Sequence, residues 1–260
     1  MTVPPVEPLV ASETDGRAEA FRADMAALAR RSILFQPALD RPDRIPPLFR
    51  PPGFGSLVQL ILEQQVSVRA AQTMWARLTR NLWPVAPEPF LLLSPETLRA
   101  CGFSAQKGRY AQSLARAVLD GAIDLDALAT MPDDDAIRAL TAMKGIGHWT
   151  AECYLLWALG RRDVMPAGDL AIQVGLKELA GLAARPGPAA LREAADAWRP
   201  WRSAAALLLW RVYLDNRAAD GSTMTSIVQS PDVATSTPDP ANLTPAPAPA
   251  TPSLQSGTSR

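Results

Sequence analysis

The sequence predicts an all-α fold, on three observations. Apolar residues recur at helical spacing in one segment after another. No run of β-branched residues alternates with polar ones, which is the pattern of a half-buried strand. Helix start and stop signals stand at the ends of the periodic stretches.

The first periodic stretch, "GRAEAFRADMAALARRSILF" (residues 16–35), reads as a helix. A proline-rich connection follows over residues 37–52, "PALDRPDRIPPLFRPP". "GSLVQLILEQQ" (55–65) is a second helix, broken near Gln65 and Val66. Ser67 then supplies the hydroxyl that caps "VRAAQTMWARLTRNLW". In "SPETLRACG" a short helix opens on Ser94 with Pro95 at its first position and closes on Gly102. "AQKGRYAQSLARAVLDG" and "DDDAIRALTAM" continue the helical pattern. They lead to "MKGIGHWTAECYLLWALG" (143–160), and "DLAIQVGLKELAGL", "PAALREAADAW" and "WRSAAALLLWRVYLDNR" complete the periodic body.

Both ends differ in composition. Residues 1–15 carry little that could be buried and are expected to be flexible. Residues 220–260 are rich in Ser, Thr, Pro and Ala and are expected to form a disordered tail. The body between them, residues 16–219, is expected to be one globular unit, and 48% apolar content supports a sizeable core.

Composition also sets limits on function. Cys101 and Cys153 are the only cysteines and lie far apart, which argues against a disulfide framework, a zinc site or an iron–sulfur cluster. No stretch is apolar for the ~18 residues of a membrane span, and the N-terminus lacks the features of a secretory signal. The expected setting is therefore cytoplasmic, with no membrane partner. Formal net charge is zero, and the tail carries three aspartates and one arginine, so the body is only slightly basic. Any nucleic-acid site must then depend on local placement of charge and amides.

The stretch around Gly145 supplies such a placement. It reads as a helix, a tight Gly-Ile-Gly turn and a second helix, with the chain's only histidine, His148, beside Trp149. Glycines at 145 and 147 permit unusual backbone angles and remove side-chain bulk. Amides at the turn and at the start of the second helix then face outward and form an anion site suited to a DNA phosphate. Lys144, His148 and Thr150 stand where they can add side-chain contacts. Such contacts position DNA without reading its sequence. Taken alone, a Gly-x-Gly between helices is more often an ordinary connection.

The longer string, an apolar helix running into G-I-G-x-W-T-A, resembles the helix-hairpin-helix of the base-excision DNA glycosylases, and the subgroup most like it is DNA-3-methyladenine glycosylase II. The resemblance covers roughly residues 54–213. It implies two helical subdomains with a DNA-binding cleft between them, in a compact form without the extra N-terminal β-containing domain of larger bacterial members. It requires an aspartate shortly after the hairpin, and Asp169 stands at the start of a helix 22 residues beyond Gly147. An aspartate there is also a common N-cap, and one residue can do both.

By the same resemblance Asp169 is the catalytic carboxylate. It would stabilise the cation that develops at the sugar and position or deprotonate a water. Trp149 and Trp210 map onto aromatic positions of the base pocket, with Trp201 as an added candidate. Cys153 and Leu170 occupy two further pocket positions that are often aromatic in relatives. The faces of indoles attract the positively charged N-methylated purines, by about 0.5–2 kcal/mol. Trp75 and Trp157 are expected to be core. Gln64 and Gln65 lie in the loop that enters the minor groove, and Gln65 takes the place of an apolar wedge. Bifunctional relatives carry a Schiff-base lysine where this chain has Trp149, which implies a monofunctional enzyme. No cofactor is required. The resemblance places a structural monovalent cation on the backbone carbonyls of Thr141, Met143 and Ile146. The implied partner is double-stranded DNA with damaged, alkylated bases of the 3-methyladenine and 7-methylguanine type, bound by a monomer. The alternative from another class is a non-catalytic DNA-binding protein that uses the hairpin for phosphate contact alone.

Overall fold

A computed structural model describes residues 11–39 and 49–219. The expected tail, 220–260, lies outside these residues, as do 1–10 and most of the proline-rich connection. Twelve α-helices make up the described chain, and no strand occurs among the described residues. They are α1 (Ala11–Arg31), α2 (Gln36–Leu39), α3 (Phe54–Glu63), α4 (Val68–Asn81), α5 (Pro87–Leu91) and α6 (Pro95–Cys101). They continue with α7 (Ala105–Leu119), α8 (Asp133–Thr141), α9 (His148–Trp157), α10 (Leu170–Leu179), α11 (Pro188–Asp196) and α12 (Arg202–Ala219).

The caps follow the local sequence chemistry. Ser67 Oγ accepts the Ala70 amide at 3.2 Å and starts α4. Ser94 Oγ accepts the Thr97 amide at 3.2 Å, Pro95 opens α6, and Gly102 ends it in the left-handed region at φ 103°. One boundary differs from expectation. Helix α1 begins at Ala11, so residues 11–15 belong to it instead of to a flexible end.

The helices pack in two groups. Helices α3 to α7 form one, with α3 against α4 and α7, α5 against α7, and α6 against α4 and α7. Helices α1, α2, α10 and α11 gather around α12 to form the other. Helix α9 is almost wholly buried and packs on α3 and α8. One continuous apolar core runs through both groups, from Phe35 and Trp198 to Phe54, Phe90 and Phe103.

Two contacts fix where the site forms. A Cβ on Gly175, in α10, would lie 2.1 Å from the Leu209 carbonyl oxygen of α12, so only glycine lets the two helices meet this closely. That approach brings Trp210, the next residue of α12, onto the start of α10. The loop before α10 is pinned at both ends. Ser203 Oγ donates to the Arg161 carbonyl at 2.7 Å and accepts the Val164 amide at 3.0 Å, while Gln173 Nε2 donates to the Ala167 carbonyl at 2.7 Å.

Candidate active site and hairpin

Asp169 is the N-cap of α10 and is fully buried, at 0% exposure. Its Oδ1 accepts the amides of Ala171 (2.9 Å) and Ile172 (3.1 Å) and the Trp210 indole N–H (2.9 Å). Its Oδ2 accepts the Trp149 indole N–H at 2.9 Å. Burial raises the pKa of this carboxyl, while the four donors, led by the two indoles, pull it down. Four donors and no acceptor are what a carboxylate requires and a carboxylic acid does not. Three of the four bonds fall on Oδ1, so Oδ2 is the oxygen with acceptor capacity to spare.

The structure shows how the two tryptophans assigned to the base pocket are held. Trp149 and Trp210 both sit against Asp169, but they engage it through their N–H groups and are themselves buried. The Trp210 ring lies 5.2 Å from that of Trp157 at a tilt of 36°, and the Arg50 guanidinium covers Trp157 at 4.9 Å. Trp157 is core, as the sequence suggested, and Trp75 is half-buried against the core. Cys153 is fully buried one turn along α9 from Trp149, and burial followed by the nearby Asp169 charge pushes its thiol pKa far up. Leu170, half-buried, is the first residue of α10. Trp201 meets a different partner. It precedes the first residue of α12, nine residues from Trp210 or roughly 13 Å along the axis, and its ring lies under Arg31 of α1 at 5.9 Å.

The hairpin joins α8 to α9. Gly145 lies in the left-handed region at φ 91°, and a Cβ there would sit 2.2 Å from Cγ of Tyr110. Gly147 is different. Its φ of −90° and ψ of 175° are open to any residue, so its backbone does not require glycine. As the N-cap of α9 it offers no side chain to the helix's first amides. Those amides lie at an exposed helix start flanked by exposed Lys144 and His148, and no side chain caps them. The Thr150 side chain is buried and faces inward, contrary to the outward role expected of it. In the turn, the Met143 carbonyl accepts the Ile146 amide at 3.0 Å and keeps one lone pair.

The loop between α3 and α4 separates two residues that the sequence treated as a pair. Gln65 is exposed and holds φ 54°, the one non-glycine residue with positive φ among those described. Gln64 turns the other way. Its Nε2 donates to the Gly145 carbonyl at 3.0 Å and to Thr150 Oγ1 at 3.1 Å, so it ties the loop to the hairpin and both of its side-chain N–H donors are engaged. Sequence reasoning also missed Lys107, whose Nζ donates to the carbonyls of Leu62 (2.7 Å) and Gln64 (2.5 Å). It missed Gly175 as well, although a lone glycine inside an apolar helical run is a signal of close packing.

Comparison with known proteins agrees with this geometry. Residues 58–200 match the profile of the HhH-GPD superfamily base excision DNA repair proteins. DNA-3-methyladenine glycosylase 1 of Schizosaccharomyces pombe is 35% identical over 162 residues, spanning 61% of this chain and 71% of that protein. DNA-3-methyladenine glycosylase 2 of Escherichia coli is 30% identical over 161 residues, but the match spans only 53% of it. Among solved structures, the S. pombe 3-methyladenine DNA glycosylase in complex with abasic DNA superposes with a TM-score of 0.66 at 29% identity, over 73% of this chain and 95% of that one. The DNA-3-methyladenine glycosidase of Bacillus halodurans gives a TM-score of 0.64 at 32% identity, over 76% and 92%. With its paired helical groups, its Gly-Ile-Gly hairpin and an aspartate capping the helix beyond it, the chain belongs to the HhH-GPD superfamily.

Proposed function

We propose that this protein is a monofunctional DNA glycosylase that flips alkylated bases out of duplex DNA and hydrolyses their N-glycosidic bond, leaving an abasic site. The observation that carries the chemistry is Asp169, a buried carboxylate kept ionised by four donors beside the hairpin helix. Its similarity to 3-methyladenine glycosylases supports the substrate class.

The hairpin takes the phosphate backbone on the α9 amides, with Lys144 and His148 beside them. The carbonyls of Thr141, Met143 and Ile146 would hold a monovalent cation, which supplies positive charge next to that phosphate. Gln65 is the plug for the space the base leaves. An N-methylated purine is already cationic and leaves without strong acid catalysis. As it departs, positive charge develops at C1′ of the sugar. The charge on Asp169, in a dry and pre-ordered setting, stabilises that cation, and Oδ2 is the oxygen placed to hold a water or accept its proton. Asp169 is sealed in this conformation, so entry of the flipped nucleotide has to displace side chains around it. Trp149 has no amine, so no Schiff base forms at that position and the DNA strand stays intact. The enzyme acts as a monomer on double-stranded DNA inside the cell. No helix among the described residues is long and apolar enough to cross a membrane.

Sealing of the carboxylate is also what a non-catalytic DNA-binding member of the superfamily would show, and excision separates the two. Oligonucleotide duplexes carrying 3-methyladenine or 7-methylguanine should release the free base. Strand breaks should appear only after heat or added base, and borohydride should trap no covalent adduct. Tight duplex binding without base release would assign the protein to the binder class. A borohydride adduct would point to an amine nucleophile elsewhere in the chain.

A further inference from the structure

The four residues 64–67 join α3 to α4, and their neighbours hold them from two sides. Helix α3 ends at Glu63, so its last carbonyls have no partner within the helix. Lys107 reaches across from α7 and donates to the carbonyls of Leu62 and Gln64, a cation at a helix C-terminus where the dipole favours it. The lysine is itself rooted. Its backbone amide donates to Ser104 Oγ at 3.2 Å, the N-cap of α7. Half-burial pushes its pKa down while Glu63 pushes it back up. From the other side, Gln64 Nε2 is bound to the Gly145 carbonyl and Thr150 Oγ1 of the hairpin. Directly after these two ties stands Gln65, exposed and left-handed at φ 54°, a backbone region that glutamine seldom enters unless its surroundings enforce it.

We propose that Lys107 and Gln64 are positioning residues, a brace that fixes Gln65 in its outward pose and sets the register between the wedge loop and the hairpin. The inference rests on the reading of Gln65 as the residue that fills the gap left by a flipped base. The brace matters most when the enzyme must open an intact pair. It matters little when the lesion is already unpaired, because no stacked base then has to be displaced.

Two readouts test it, one of them independent of catalysis. The first is the fluorescence of 2-aminopurine placed opposite a tetrahydrofuran abasic analogue, which reports entry of Gln65 into the gap. The second is single-turnover excision of 7-methylguanine from a fully paired duplex and from one that leaves the lesion without a partner. Lys107→Met and Gln64→Ala should abolish most of the fluorescence change at saturating protein. Both should slow excision from the paired duplex by roughly tenfold, and excision from the unpaired one by no more than about twofold. Lys107→Arg, which keeps a charged donor, should recover most of the loss. In a Gln65→Ala background, Lys107→Met should cost nothing further, since its effect passes through Gln65.

Equal losses on both duplexes, or full additivity with Gln65→Ala, would overturn the brace and leave Lys107 as a plain helix cap. If Lys107→Met does not fold, Gln64→Ala with Gln65→Ala gives the same cycle. A wild-type protein that shows the Lys107-dependent fluorescence change but excises nothing keeps the brace and loses the glycosylase reading. A wild-type protein that excises with no fluorescence change loses the brace alone. A wild-type protein that does neither loses both.

Discussion

Asp169 illustrates how much one side chain is asked to do. As a cap it satisfies two amides of α10, and as an anion it takes two indole donors. Asparagine can keep the caps on its single oxygen, but its NH2 group then faces the Trp149 N–H, donor against donor. Asp169→Asn should therefore destabilise the fold by about 1–3 kcal/mol, a cost not expected from capping alone. Trp149→Phe removes the opposing donor and should recover part of that loss when combined with Asp169→Asn, a non-additive pair in thermal melts. The chemical effect is separate. Single-turnover excision by folded Asp169→Asn should fall by about 10²–10³ through loss of the charge near the sugar. Excision within about threefold of wild type would leave Asp169 as a helix cap only. Because burial raises the Asp169 pKa, the acid limb of the wild-type rate should lie above the ordinary carboxylate range, and Asp169→Asn should lack it.

At the scale of elements, the hairpin's two glycines are predicted to part company. Gly145→Ala meets both a left-handed backbone and the body of Tyr110, whose Cβ would be only 2.6 Å from the new methyl and cannot swing aside. It should cost about 2–4 kcal/mol in a melt. Gly147→Ala has ordinary backbone angles and should leave the melting temperature unchanged, yet weaken duplex binding at matched salt by crowding the α9 amides. Should Gly147→Ala bind undamaged duplex as tightly as wild type, the phosphate assignment of this turn fails. The sequence could expose the glycines but not tell them apart, because the bulk that meets Gly145 is Tyr110 on another helix. The same limit recurs elsewhere. Ser67, Ser94 and Gly102 were legible because a cap acts within three or four residues. Asp169 was legible as an N-cap from its position before an apolar helical run, and as a site residue only through the family resemblance. The inward turn of Gln64 pairs residues 81 and 86 positions apart, the Lys107 cap spans 43 and 45, and Trp210 reaches Asp169 over 41. No local period encodes such pairings. Family position assigned Trp149 and Trp210 to the base pocket, and it said nothing about their N–H bonds to Asp169.

For the molecule as a whole, stability should carry a pH signature from Glu152. This residue lies within α9, between the hairpin and the core, with a side chain only 2% exposed. Its Oε1 accepts Arg192 Nη1 of α11 at 2.6 Å, while its buried Oε2 has no partner. Desolvation outweighs the attraction of Arg192 and pushes the pKa up to about 7, from an ordinary value of 4.5. The sign of the linkage follows. Between those two values the folded state binds more protons at this site than the unfolded state, so stability falls as pH rises through the window and levels off above it. The other titrating groups are common to wild type and variant, so the difference between Glu152→Gln and wild type isolates this one. Below about pH 4.5 the two proteins should differ little. By pH 8 Glu152→Gln should be the more stable, by up to about 3 kcal/mol, because glutamine holds the place of the neutral acid and removes the buried charge. Arg192 is half-exposed, so water takes over its solvation when the carboxylate is gone. Urea unfolding of both proteins at pH 5 and pH 8 measures the difference directly. A Glu152→Gln protein less stable than wild type at pH 8 would mean that the α9–α11 ion pair outweighs its desolvation, and that Glu152 is ionised in the folded protein throughout.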